Sequence, residues 1–154
     1  MLRLEQEFTI DAPVERVWDF LTDIPVMSQC IPGAESVQVV DDRHVNALVK
    51  TRVGPISVAF NCQVSILTLD RETFTASAEI AGRDTRLGAS VRATMSMALV
   101  PDREVTTVKL TTEVDLSGKL VQYGHGVIQQ RANAMLESFS ACVREQLTDG
   151  ASNR

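Results

Sequence analysis

The sequence predicts an α+β fold: a strongly bent, seven-stranded antiparallel sheet around one long C-terminal helix, with two short helices after the first strand. Three observations predict it. The opening residues alternate apolar and polar with a period of two. The same alternation then recurs in six successive runs between Glu35 and Leu116, each bounded by turn signals. From Leu120 to about Asp149 the apolar period becomes helical, with no proline to interrupt it. A bent sheet closing over the apolar stripe of a single long helix buries both surfaces in one layer pair.

The elements follow in order. In LRLEQEFTI, Leu2, Leu4, Phe8 and Ile10 share one face and Arg3, Glu5, Glu7 and Thr9 the other, which makes a half-buried strand. Asp11 is the expected N-cap of the next helix, with Pro13 early in it, where a missing N–H costs little. VERVWDFLTD carries Val14, Val17, Trp18 and Leu21 at helical spacing. The stretch TDIPVMSQCIPGA is too apolar for an ordinary loop and too broken by Pro25 and Pro32-Gly33 for an ordinary helix. Strands are expected over Ser36–Val40 and His44–Val53, joined by Asp41-Asp42-Arg43. Further runs follow Gly54-Pro55: Ile56 to Ile66, Phe74 to Ile80, Leu87 to Leu99, and Val105 to Leu116 after the Pro101-Asp102 turn. The final helix is expected to be about 28 residues, on the order of 40 Å long. A single domain over residues 1–149 and a flexible tail over 150–154 complete the reading.

Composition narrows the function classes. Of the 154 residues, 44% are hydrophobic and 23% charged, which is globular material with enough chain for a real core. A net charge of −5 without a Lys/Arg cluster argues against nucleic acid. No apolar run approaches the ~18 residues of a membrane span. Cys30, Cys62 and Cys142 are odd in number and far apart, so neither a disulfide framework nor a zinc site is indicated, and a cytoplasmic protein with reduced thiols is expected. His44 is expected at a solvated hairpin and His125 at a surface or hydrogen-bonded structural position. No metalloprotease or nucleophile-elbow motif appears.

Several local motifs carry a family resemblance. They are the alternation ending Phe8-Thr9-Ile10, Ala12-Pro13-x-x-x-Val17-Trp18-x-x-Leu21-x-Asp23, Cys30-Ile31-Pro32-Gly33-Ala34-Glu35, Val53-Gly54-Pro55-Ile56 and Gly118-Lys119-Leu120-Val121-Gln122-Tyr123-Gly124. Together they resemble the CoxG family, named for the CoxG subunit of carbon monoxide dehydrogenase, within the SRPBCC, or START-like, helix-grip superfamily. The resemblance covers the chain to about residue 147.

The resemblance implies an apolar cavity between sheet and helix, and a non-catalytic accessory protein for a molybdenum hydroxylase of the carbon monoxide dehydrogenase type. It also implies no covalent cofactor, but a bound lipophilic small molecule, a menaquinone-like quinone or another lipid, that links the enzyme to the membrane. Relatives often add a proline-rich linker and an apolar extension, which this sequence lacks, so the expected membrane contact is peripheral, at the inner face of the cell membrane. The expected ligand-binding residues are Trp18, Leu21, Met27, Ile31, Val49, Val58, Phe60, Phe74, Ala78, Leu87, Val91, Met95, Tyr123, Ile128 and Met135, with Gln63, Gln122, Tyr123 and Thr112 as polar contacts. Small residues at inward positions (Ala47, Ala76, Ala78, Ala89 and Ala93) leave the space, unless the large aromatic residues fill it. The Pro-bracketed segment is then either a lid, with Val26, Met27 and Ile31 facing inward, or a rigid corner. Two other functions stay open: a helix-grip cyclase or hydrolase using His125, Tyr123 or an inward Glu113 as acid or base, and a docking module whose cavity is incidental.

Overall fold

The computed structural model describes residues 2–152, and all their side chains except those of Lys119 and residues 148–152. Residues 153–154 of the expected tail lie outside the described residues. Strand β1 (Leu2–Ile10) leads into α1 (Val14–Thr22), the single turn α2 (Ile24–Met27) and a 3-10 turn at Ser28–Cys30. Six strands follow: β2 (Ala34–Val39), β3 (His44–Val53), β4 (Ile56–Asp70), β5 (Thr75–Asp84), β6 (Ala89–Asp102) and β7 (Val105–Ser117). A 3-10 segment, Gly118–Tyr123, then opens α3 (Gly124–Ser152). The strands form one antiparallel sheet in the order β1-β7-β6-β5-β4-β3-β2. Hairpins carry the meander from β2 to β7, and β1 closes its far side against β7.

The strand periodicity read from the sequence is the one observed, with some boundaries moved. β4 runs on to Asp70 because a bulge between Ile66 and Thr68 resets its register and lets pairing with β5 continue. The cap of α1 is Pro13, in extended conformation and without a side-chain cap bond, rather than Asp11. Pro25 sits in the first turn of α2, where no helical hydrogen bond needs its missing N–H. α3 begins at Gly124 instead of Leu120, since Gly124 has φ of +75° and breaks the helical run. α3 also continues to Ser152, into the stretch expected as a tail.

The core lies in two main clusters at opposite ends of the concave face. One gathers Phe8, Ile10, Val17, Trp18, Leu21, Cys30, Val143 and Leu147, with Trp18 edge-to-face on Phe74 at 5.8 Å and Phe8 on Phe139 at 6.2 Å. The other gathers Val53, Val58, Phe60, Ala89 and Leu120, flanked by Tyr123, Val127 and Ile128. Between them runs a thinner strip of Leu4, Ala93 and Val114, with Ala132 of α3 against it.

One expectation is corrected here. Cys30 and Cys142 are joined in a disulfide across a sequence separation of 112, so two of the three thiols are not free. Spacing along the chain was blind to this, because the bond depends on the α3 stripe that carries Cys142 back over the 3-10 turn. Cys62 is a free, half-buried thiol, and burial pushes its pKa up.

Candidate functional site between the sheet and the long helix

The inner face of the sheet is built from residues in register across the strands. Ile66, Ala78, Met95, Thr112 and Leu4 form one cross-strand row; Val64, Ile80, Ala93, Val114 and Leu2 form the next. All have the parity that turns them toward α3. Yet Val64, Ile66, Ala78, Ile80 and Met95 remain only half-buried. The reason is the path of α3, which approaches β1 and β3 more closely than the central strands β4, β5 and β6.

Polar ties hold the helix on the β1 side. The Gln6 amide donates to Asn133 Oδ1 at 2.8 Å, Arg144 Nε to the Thr9 carbonyl at 2.9 Å, and Arg16 to the Leu147 carbonyl at 2.8 Å. On the β3 side the Thr51 hydroxyl lies 4.0 Å from Met135 Sδ. The helix is thus supported at its two flanks over a half-buried apolar strip of the sheet.

The expected wall residues divide between the two ends and the middle. Trp18 and Leu21 are core residues of the first cluster, with Met27 and Phe74 packed on it. Val58 and Phe60 belong to the second, with Leu87, Val91, Tyr123 and Ile128 packed on it. Ile31, Val49, Ala78, Met95 and Met135 are half-buried. Of these, Ala78 and Met95 share the central row with Thr112, the one expected polar contact that is both inward and buried.

The other polar expectations need correction. Gln63 projects from the outer face of β4, opposite in parity to Cys62, and Gln122 is exposed. Tyr123 is half-buried with its ring against Gly54. Glu113 is exposed on the outer face, because it alternates with the buried Thr112 and Val114. Val26 is 39% exposed and so does not face inward.

The Pro-bracketed segment is pinned toward its C-terminal end. Cys30 is bonded to Cys142 of α3, and the Gly33 carbonyl accepts the Lys50 N–H at 2.9 Å. Gly33 has φ of +82°, and a Cβ there would collide with the Lys50 carbonyl oxygen, so this turn requires glycine. In the disulfide-bonded state the segment is therefore a fixed corner.

Two concavities lie elsewhere. A wide, open trough of about 1010 Å³ runs across the outer face over Gln38, Asn46, Gln63, Asn61, Arg83 and Arg92. Its walls mix these polar side chains with Leu48, Ala81 and Leu116, and of the expected ligand residues Val91 and Gln63 border it. A second groove of about 690 Å³ follows β1 and α3 past Glu7, Asn133, Glu137 and Arg144.

Of the acid–base candidates, His125 and Glu113 are exposed and Tyr123 is half-buried. His44 is exposed and bonded through Nδ1 to Asp41 at 2.9 Å, and the Arg43 N–H and this imidazole hold the Asp41 carboxyl below its ordinary value. His125 is exposed on the first turn of α3. Among the described residues no group of His, Cys, Asp or Glu could hold a metal ion. None of the described helices is long and apolar enough to cross a membrane.

Reasoning from sequence missed one polar group on the inner side of α3. Arg131 of α3 is half-buried, and its Nε is shut off from solvent with no hydrogen-bond partner among the described residues. Its signal was an arginine four residues from both Val127 and Met135, inside the helix stripe that should be apolar.

The architecture is that of the START-like class. The chain superposes on a conserved protein from Geobacillus kaustophilus with a TM-score of 0.86 at 18% identity, covering 96% of each chain. A START superfamily protein from Mycobacterium smegmatis gives 0.70 at 10% identity, covering 96% of this chain and 97% of that one. A truncated norcoclaurine synthase from Thalictrum flavum gives 0.66 at 14% identity, covering 94% and 92%. At these identities the likeness is one of fold. No curated protein matches the chain in sequence. The model of the family of the carbon monoxide dehydrogenase CoxG subunit matches residues 7–148, and the chain belongs to that family.

Proposed function

We propose that the protein is a non-catalytic accessory protein of a carbon monoxide dehydrogenase-type molybdenum hydroxylase. It binds a lipophilic small molecule in an apolar crevice between the central strands and α3 and links the enzyme to the membrane. A quinone of the menaquinone type is the natural candidate, since it is an apolar body with few polar atoms and is a membrane electron carrier. The observation that carries the reading is the half-buried apolar inner face of the central strands. Close-packed cores do not leave such surface under a helix, and small-molecule sites are mostly apolar with a few polar groups that set orientation. Family membership supports the choice of partner enzyme.

The test is native mass spectrometry on protein purified gently from its own host, then organic extraction and identification of what is released. A stoichiometric quinone or other lipid is the expected result. An empty protein that still captures a molybdenum hydroxylase would replace ligand carriage with docking alone. Two exposed side chains favour that second reading: Val26 on the corner and Val121, 60% exposed, beside the start of α3. An empty protein with no partner would sink both.

A further inference from the structure

We propose that Arg131 anchors the polar end of the crevice ligand, and that this ligand carries acceptor oxygens, a carboxylate or a quinone-type carbonyl, at one end of its apolar body. The inference rests on the lipophile-binding reading above. A guanidinium carries a fixed positive charge and five donors in a planar fork, so a sealed N–H without an acceptor leaves a strong donor unused. Leaving such a donor unmade is costly, and each native case calls for an explanation. The contrast within α3 is direct, because Arg144 places the same atom, Nε, 2.9 Å from the Thr9 carbonyl.

The position of Arg131 says what the missing acceptor belongs to. Val127, Arg131, Met135 and Cys142 follow one stripe of α3 at spacings of four, four and seven. Val127 packs in the cluster that holds Val53, Met135 reaches Thr51, and Cys142 is bonded to Cys30. The stripe therefore faces β3 and the corner, along one side of the crevice. It contains no carboxylate, and neither do the helix neighbours Ile128 and Ala134. The β3 residues of inward parity, Val49, Thr51 and Val53, offer none either. An acceptor has to come with the ligand, whose apolar body then lies against Met95 and Ala78.

The test uses the delipidated protein, wild type and Arg131→Met, titrated with three probes: hexadecanoate, hexadecane and a short-chain menaquinone. Methionine keeps an unbranched stem and removes the donors. Arg131→Leu, which likewise carries no donor, serves as a second variant should the first fold poorly. The expected result is a loss of about tenfold or more for an acceptor-bearing probe, with hexadecane, which has no acceptor, unchanged, in line with hydrogen bonds to charged groups. Loss for hexadecanoate alone identifies a lipid carboxylate as the source, and loss for the menaquinone alone a quinone carbonyl. If all three probes bind wild type and variants alike, Arg131 is no anchor while the lipophile reading stands. If none binds wild type, the lipophile reading itself falls, and the anchor with it.

Discussion

At the scale of single residues, Asp84 shows how a polar side chain fixes one corner of the sheet. It is 4% exposed at the end of β5 and accepts the Ala59 N–H at 2.9 Å and the Leu87 N–H at 3.3 Å, with the Arg86 guanidinium at 3.5 Å. The Ala59 N–H is the main cause holding its carboxyl below the ordinary aspartate value, with Leu87 and Arg86 adding to it. A folded-state value depressed in this way stabilises above the unfolded value, near pH 4, and the stabilisation disappears as pH falls through the folded value. Asp84→Asn is expected to lower the melting temperature at pH 7, and the gap to wild type is expected to close below about pH 4. A gap that stays constant down to about pH 3 would remove the role assigned to the charge. Neither Asp84 nor Arg131 was legible in the sequence as special. Each is a charged residue in an otherwise ordinary pattern, and only tertiary placement leaves one surrounded by donors and the other with an Nε that meets no acceptor among the described residues.

Among the elements, the corner formed by α2 and the 3-10 turn depends most on long-range ties. Its apolar residues and its two prolines marked it in the sequence. Whether it was a lid or a corner could not be read there, because the answer lies with Cys142 on α3. Removing the bond by Cys30→Ala with Cys142→Ala is expected to cost about 2–4 kcal/mol, the usual worth of a disulfide closing a long loop. Equilibrium denaturation with and without dithiothreitol gives the same comparison in the native sequence. Coincident curves would show that the bond contributes nothing. The strands were legible for a simpler reason: residues such as Phe60, Cys62 and Val64 alternate with the polar Asn61, Gln63 and Ser65, and parity alone decides which face they join. The 3-10 segment before α3 was not legible, since Leu120 and Tyr123 suit a helical period and only the backbone at Gly124 interrupts it.

For the whole molecule, the central question is whether the middle of the concave face has room. Ala78, half-buried in the central row, and Ala93, 8% exposed against Leu4 and Val114, lie on neighbouring strands and test it as a pair. Ala78→Leu is expected to be neutral or stabilising in thermal unfolding, whereas Ala93→Leu is expected to cost about 1–3 kcal/mol by overpacking. Equal penalties at both sites would mean a core closed from end to end. The overall fold was readable from element order, because few arrangements satisfy one strand, short helices, a six-strand meander and a long helix. The half-burial of the central inner face was only partly readable, since small inward residues such as Ala78 hint at space but say nothing of how far α3 stands off. The bond between Cys30 and Cys142 also has a topological consequence. It closes the backbone into a ring that contains β2 through β7 and leaves β1 and α1 as a free arm laid against it. A single backbone break anywhere in that ring, in any hairpin of the meander, still leaves one covalent molecule.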